Sequence, residues 1–290
     1  CRSGCAAPAV LGVSGNARTG IAKNALPFVK EVWVGVEDGC QRVIQAPVSE
    51  MIRMLRVGHE HDHIANGSCG SLELPAEEIA SVRTGEAKTA AELIGAIHHP
   101  PLVNDIDILY DKPLLARVGA IMREVSPEIV LTHSPQDYME DHMIACRLTV
   151  TAAFCRGMPN VPTDPPRDAV TQPVTLYHAQ PHGNRDPLGE PVTPSIFVDI
   201  TGVIECKRDM LNCHQSQKLW LDHSQGMDSY LNTMQELARE VGIMSGRFQY
   251  AEGFRRHTHY GLCDETADPL AKSLGTSANM HRKLRTRRYR

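Results

Sequence analysis

Apolar positions along the chain fall into two kinds of run that alternate. Short runs rich in β-branched residues predict strands: Glu31-Val32-Trp33-Val34-Gly35-Val36, closing on the turn signal Asp38-Gly39, then Glu128 to Thr132, Val174 to His178 and Ile196 to Ile200. Ala9 to Val13 is a shorter run that reads as a buried strand within an otherwise weakly patterned start. Runs with apolar residues three and four apart predict helices. One opens at Leu74-Pro75 with Glu77 and Glu78 in its first turn, carries Ile79, Val82, Ala90, Leu93 and Ile94, and stops at Gly95. A second carries Leu114, Leu115, Val118, Ile121, Met122 and Val125 and ends at Ser126-Pro127. Asp141 stands as the N-cap of a third, ahead of Ile144, Leu148, Ala152 and Phe154. After a proline-dense loop, Asn160 to Pro173, two more follow: Val203 to Leu221, and one marked by Tyr230, Leu231, Met234, Leu237, Ala238 and Val241 with Gly242 at its end. Gln41 to Leu74 has no sustained period and reads as an irregular surface segment. Strands alternating with helices predict an α/β fold with a mainly parallel sheet flanked by helices.

Composition narrows the function. The 290 residues are 42% apolar, enough for one large domain or two small ones, and no apolar run approaches the roughly 18 residues of a membrane span. The last ten residues hold six basic side chains and no acid, leaving 24 basic against 34 acidic residues in the other 280. A body that acidic repels phosphate, so non-specific nucleic-acid binding is excluded as a role. Nine cysteines without a Cys-x-x-Cys pair argue against a disulfide framework or a four-thiolate zinc site and for a cytoplasmic protein. The chain opens at Cys1, and its start reads as incomplete. Residues 1–30 form a poorly patterned segment, 31–275 the main domain, and 276–290 a basic tail expected to be disordered.

Ligands of open parallel sheets gather at the carboxyl ends of the strands. The densest polar loop after a predicted strand is Thr132-His133-Ser134-Pro135-Gln136-Asp137-Tyr138-Met139-Glu140-Asp141-His142. His142, in the first turn of the following helix, can hold a divalent metal through one ring nitrogen, and Asp137, Glu140 or Asp141 can orient that ring. The simpler reading of the same residues is an N-cap aspartate followed by a surface histidine. A second cluster, His59-Glu60-His61-Asp62-His63, lacks one residue of a metallo-hydrolase spacing; it reads as a solvated polar loop, with a metal site of that type or the lending of ligands to His142 as its functional options. His214 with Gln217 lies in a predicted helical segment and reads as a partly buried histidine satisfied by the backbone or as a catalytic one, and Arg255 and His257 face the crevice or cap the last strand.

Several of these segments together resemble the PIG-L/LmbE-like family of zinc-dependent sugar N-deacetylases. The resemblance is carried by Arg83-Thr84-Gly85-Glu86-Ala87, Ala90 to Gly95, Pro127 to His133, Asp137-Tyr138, Asp141-His142, Val198-Asp199-Ile200, Lys207, Cys213 to Gln217 and Tyr250 to Arg255. It implies a Rossmann-like fold and loss of an acetyl group from an amino sugar to a zinc-activated water, with one Zn2+ per chain. By that resemblance His142 is a metal ligand, Arg83 contacts substrate and Asp141 is the catalytic carboxylate. The family's first motif, His-Pro-Asp-Asp, is not found: Ser14-Gly15-Asn16-Ala17 stands in its place, and Met139 replaces a histidine three positions before the later ligand. A start displaced by truncation or a reading-frame error is one explanation of that gap. The expectation is therefore a zinc-dependent N-deacetylase acting on a small amino-sugar conjugate, with no nucleic-acid or membrane-spanning partner and with homo-oligomerisation left open. The alternative is an inactive relative that binds a sugar or glycoconjugate.

Overall fold

A computed structural model describes residues 30–35, 58–225 and 230–280. Eight strands form one sheet in the order β3-β2-β1-β4-β5-β7-β6-β8. They are β1 (Lys30–Gly35), β2 (Gly58–His63), β3 (Ile97–His98), β4 (Ile129–Thr132), β5 (Thr175–Ala179), β6 (Ile196–Asp199), β7 (Ala251–Arg256) and β8 (Ala278–Met280). The helices are α1 (Ala76–Leu93), α2 (Lys112–Val125), α3 (Glu140–Cys155), α4 (Ile204–Asn212), α5 (Gln215–Gln225), α6 (Tyr230–Ser245) and α7 (Pro269–Leu274).

The α/β class holds, but the sheet is mixed rather than mainly parallel. β3, β2, β1, β4 and β5 pair in parallel, whereas β7, β6 and β8 add antiparallel pairings. The physical reason is in the connections. β2 to β3 and β4 to β5 each cross over through one α-helix, which returns the chain to the same rim and makes a parallel neighbour. Three helices separate β6 from β7, and the chain re-enters from the opposite rim between β5 and β6.

β4 shows why its sequence reads as an unbroken apolar run: all four residues are buried, because both faces of the sheet are covered. Ile129 and Leu131 join Tyr177, Val198 and Phe254 in the core under α4–α6. Val130 points the other way and joins Leu176, Val118 and Leu148 under α2 and α3. α2 starts where Asp111 accepts a hydrogen bond from the Leu114 amide at 2.9 Å and stops at Ser126 in the left-handed region, as the Ser-Pro signal implies.

Four local expectations need correction. Residues 58–63, placed in an irregular loop, form β2, so the His59–His63 cluster lies on a strand paired with β1. The predicted helix from Val203 to Leu221 is two helices, α4 and α5, broken at Cys213-His214. Asp141 is not the N-cap of α3; Met139 holds that position without a side-chain cap, and the Asp141 carboxylate accepts instead from the Ile106 amide at 2.9 Å. β7 and β8 carry too little alternation to stand out, and β8 occupies the first part of the segment read as a tail. The predicted strand at Ala9–Val13, the Ser14–Ala17 stretch and residues 281–290 lie outside the described residues.

Candidate active site

The loop 133–139 leaves the carboxyl end of β4 and leads into α3; Pro135, Gln136 and Tyr138 are exposed, but several of its polar side chains are buried where polar loops are ordinarily exposed. His133, Ser134, Asp137 and His142 have no solvent-accessible surface. Burial of that much polarity requires partners. Asp137 Oδ1 lies 2.8 Å from His142 Nδ1 and also accepts from the Met139 amide at 3.2 Å. A carboxylate can only accept from that nitrogen, so Nδ1 carries the proton and Nε2 is the basic nitrogen of the ring. His133 stacks on His142 with ring centroids 4.4 Å apart and parallel planes, and Tyr138 sits edge-on to His142 at 5.6 Å. Of the three carboxylates that could orient His142, Asp137 does so in the structure. Asp141 is nearly buried too, and its carboxylate ties α3 to the Ile106 turn.

A second chain of imidazoles runs beside the first. His178, on β5, places Nδ1 2.9 Å from the carbonyl of His133 and Nε2 2.9 Å from His257 Nδ1. The carbonyl fixes the first proton on Nδ1 of His178, so its Nε2 accepts from His257, whose own Nε2 is then basic. Burial, reinforced by His257 and Arg255, pushes the His178 pKa down to about 4, and burial also lowers that of His257. Cys146 Sγ lies 3.5 Å from His178 Nδ1, and burial pushes its thiol up to about 12. It is not a nucleophile poised beside a base. A cleft of ≈ 350 Å³ opens here, with Pro135, Cys146, Arg147, Val150, His178 and His257 among its walls. Sequence reasoning missed His178 and the stacking role of His133; the signal was a histidine at the carboxyl end of each of two adjacent parallel strands.

Arg83 is buried on α1 and threads the loop before it: Nη2 donates to the Gly70 carbonyl at 2.8 Å, and a Cβ at Gly67 or Gly70 would fall 2.3 Å from the Arg83 side chain. Asp105 braces the same loop, accepting from the amides of Gly67 at 2.7 Å and Cys69 at 3.0 Å, while burial holds its carboxyl above the usual range. His214 and Gln217 are both buried, but His214 lies in the break before α5 rather than in a helix.

Zinc needs about three protein donors with one position left for water. Among the described residues no group of three or more His, Cys, Asp or Glu side chains is arranged to hold a metal. His142 with Asp137 behind it is one ligand with its orienting carboxylate, so these residues alone do not fit a complete zinc centre.

Comparison with known proteins places this architecture. The model of the PIG-L family, GlcNAc-PI de-N-acetylase, matches residues 51–154. The chain is 31% identical over 186 residues to the 4-oxalmesaconate hydratase of Pseudomonas putida, covering 63% of this chain and 69% of the relative. It is 29% identical over 206 residues to the diacetylchitobiose deacetylase of Thermococcus kodakarensis, covering 66% and 69%. The solved zinc-inhibited form of the teicoplanin deacetylase Orf2 shares the fold with a TM-score of 0.57 at 11% identity, covering 78% of this chain and 97% of that one. The chain belongs to the PIG-L family, whose members include deacetylases and a hydratase, and zinc is bound by a protein of this fold. No helix among the described residues is long and apolar enough to cross a membrane.

Proposed function

We propose that the chain is a hydrolase that removes the N-acetyl group from an amino-sugar conjugate at the rim where His142 sits. The observation that carries this reading is the buried His142–Asp137 pair at the carboxyl end of β4. Nε2 of His142 takes a proton from water, the water oxygen adds to the acetyl carbonyl carbon, and the carbon–nitrogen bond breaks as that proton passes to the departing amine. Acetate and a free amino sugar result. Asp137 stabilises the imidazolium between the two transfers, Asp141 anchors the start of α3, and Arg83 with the loop it braces contacts the sugar. Nε2 of His142 can serve as this base or ligate a metal, not both at once, and the described residues do not complete a zinc centre. The relative named as a diacetylchitobiose deacetylase supports the choice of reaction.

A second reading, addition of water to a conjugated carbon–carbon double bond, is favoured by the 31% identity to a protein named as a hydratase. The two part in a direct assay. Purified protein incubated with N-acetylated chito-oligosaccharides releases acetate on the first reading, and His142→Ala abolishes the release. Bleaching of an unsaturated dicarboxylate's ultraviolet band, without acetate release, selects the second. Sugar binding without either turnover marks an inactive binding relative.

A further inference from the structure

Buried guanidinium groups in this protein are consumed by backbone carbonyls. Arg123 donates to the carbonyls of Cys155, Arg156, Met158, Val161 and Arg167. Arg156 donates to those of Ala153, Gln172, Gly261 and Leu262. Such saturation is what desolvating a cation demands.

Arg255 departs from it. It lies on β7 directly opposite His178 of β5, and cross-strand partners share a face, so it stands on the side where His178 meets Cys146. Nη2 donates to Ser134 Oγ at 2.7 Å, and this is its hydrogen bond to the protein among the described residues. That hydroxyl is itself fixed, donating to the Gln136 carbonyl at 2.6 Å and accepting from the Gln136 amide at 3.2 Å. Ser134 follows His133 in the chain, so this bond ties the guanidinium to the loop whose His133 ring stacks on His142. Nε of Arg255 is buried without a partner, and no carboxylate of the described residues lies within ion-pair distance of the group. Arg83 also has a buried Nε without a partner, but Asp105 is close enough to balance its charge. Two neighbours of Arg255 are neutral: a protonated thiol at Cys146 and an uncharged imidazole at His178. A half-buried cation with most of its N–H groups unused and no counter-charge among the described residues is suited to receive an anion from outside the chain.

We infer that Arg255 anchors a carboxylate of the substrate, so that among the compounds processed beside His142 an acid is preferred over its neutral counterpart. The inference rests on the reading of this rim as the active site and deepens it by naming the substrate class.

The test is calorimetric titration of the full-length protein with malonate, with neutral malonamide and with inorganic phosphate. Malonate is expected to bind and malonamide not to bind. Arg255→Gln is expected to weaken malonate tenfold or more, and Arg255→Lys to give an intermediate loss. Unchanged malonate binding in Arg255→Gln overturns the proposal, as does equal binding of malonamide. Phosphate binding tighter than malonate, with the same dependence on Arg255, overturns the carboxylate assignment. Should the glutamine variant fail to fold, phenylglyoxal labelling of the wild-type protein decides: malonate must shield Arg255, mapped by peptide mass spectrometry, and absence of shielding overturns the proposal. His142→Ala separates this inference from the proposed function, since it is expected to lose turnover while keeping malonate binding. A variant that keeps turnover defeats the reading of the site and leaves the anion result standing.

Discussion

Asp137 and His142 are five residues apart, fully buried, and joined by a 2.8 Å contact between carboxylate and Nδ1. The aspartate sits in the loop and the histidine in the first turn of α3, so the turn between them sets the ring's tautomer. Asp137→Asn keeps the shape but offers a neutral acceptor, and its amide can rotate to donate instead, favouring the wrong tautomer. The expected result is a fall of roughly 10²–10⁴-fold in kcat with a nearly unchanged melting temperature. Acetate-release kinetics beside a thermal melt check it; activity within threefold of wild type would remove the pair from the mechanism.

The proline-dense loop is held from inside by Arg123. Its guanidinium reaches five carbonyls between 2.8 and 3.4 Å, spanning Cys155 to Arg167. Arg123→Met removes every donor and leaves those carbonyls short of partners, so the expected loss is about 3 kcal/mol or more. Arg123→Lys offers three donors from a point and should recover only part of it. Urea unfolding of the three proteins gives the order wild type, Lys, Met.

How much of this was legible beforehand varied with how local the signal was. The α2–β4–loop–α3 unit could be read because its period, its Ser-Pro stop and its β-branched strand all lie within the segment they specify. The place of His142 in the first turn of that helix was legible for the same reason. Its partner was left open among three carboxylates, because the choice depends on loop backbone geometry that no spacing encodes. Arg83 was noticed through resemblance, but its insertion between Gly67 and Gly70 is a tertiary fact. His178 and Arg255 were harder still. They meet only because β7 returns antiparallel beside β5, 77 positions later in the chain, and that pairing is decided by three intervening helices.

Acid stability should report on His178. Its pKa stands near 4 in the folded protein against 6.5 for an ordinary imidazole, so between those values the unfolded chain binds the extra proton. Stability therefore rises with pH from about 4 to 6.5 and levels off above, and His257, shifted the same way, adds to the slope. The contribution of His178 is about 3 kcal/mol at most. His178→Asn, which keeps a donor toward the His133 carbonyl, should flatten that limb in urea titrations at stepped pH. NMR titration of the wild-type ring gives an independent reading, and a midpoint near 6.5 would refute the assignment.

Thiol chemistry separates two cysteines that sequence alone treats alike. Cys69 is exposed on the loop braced by Arg83, whereas Cys146 is buried on α3 with its thiol pushed up to about 12 by loss of solvent. Because only thiolate reacts and only where reagent can reach, iodoacetamide at pH 8 should modify Cys69 in the native protein and leave Cys146 intact. Addition of urea past the unfolding midpoint should bring Cys146 to the rate of an ordinary thiol, so its labelling becomes a probe of whether the packing of α3 on β5 has opened. Peptide mapping by mass spectrometry resolves the two sites. Rapid native modification of Cys146 would mean that this packing opens readily, and the imidazole chain through His178 could not then be a fixed element of the site.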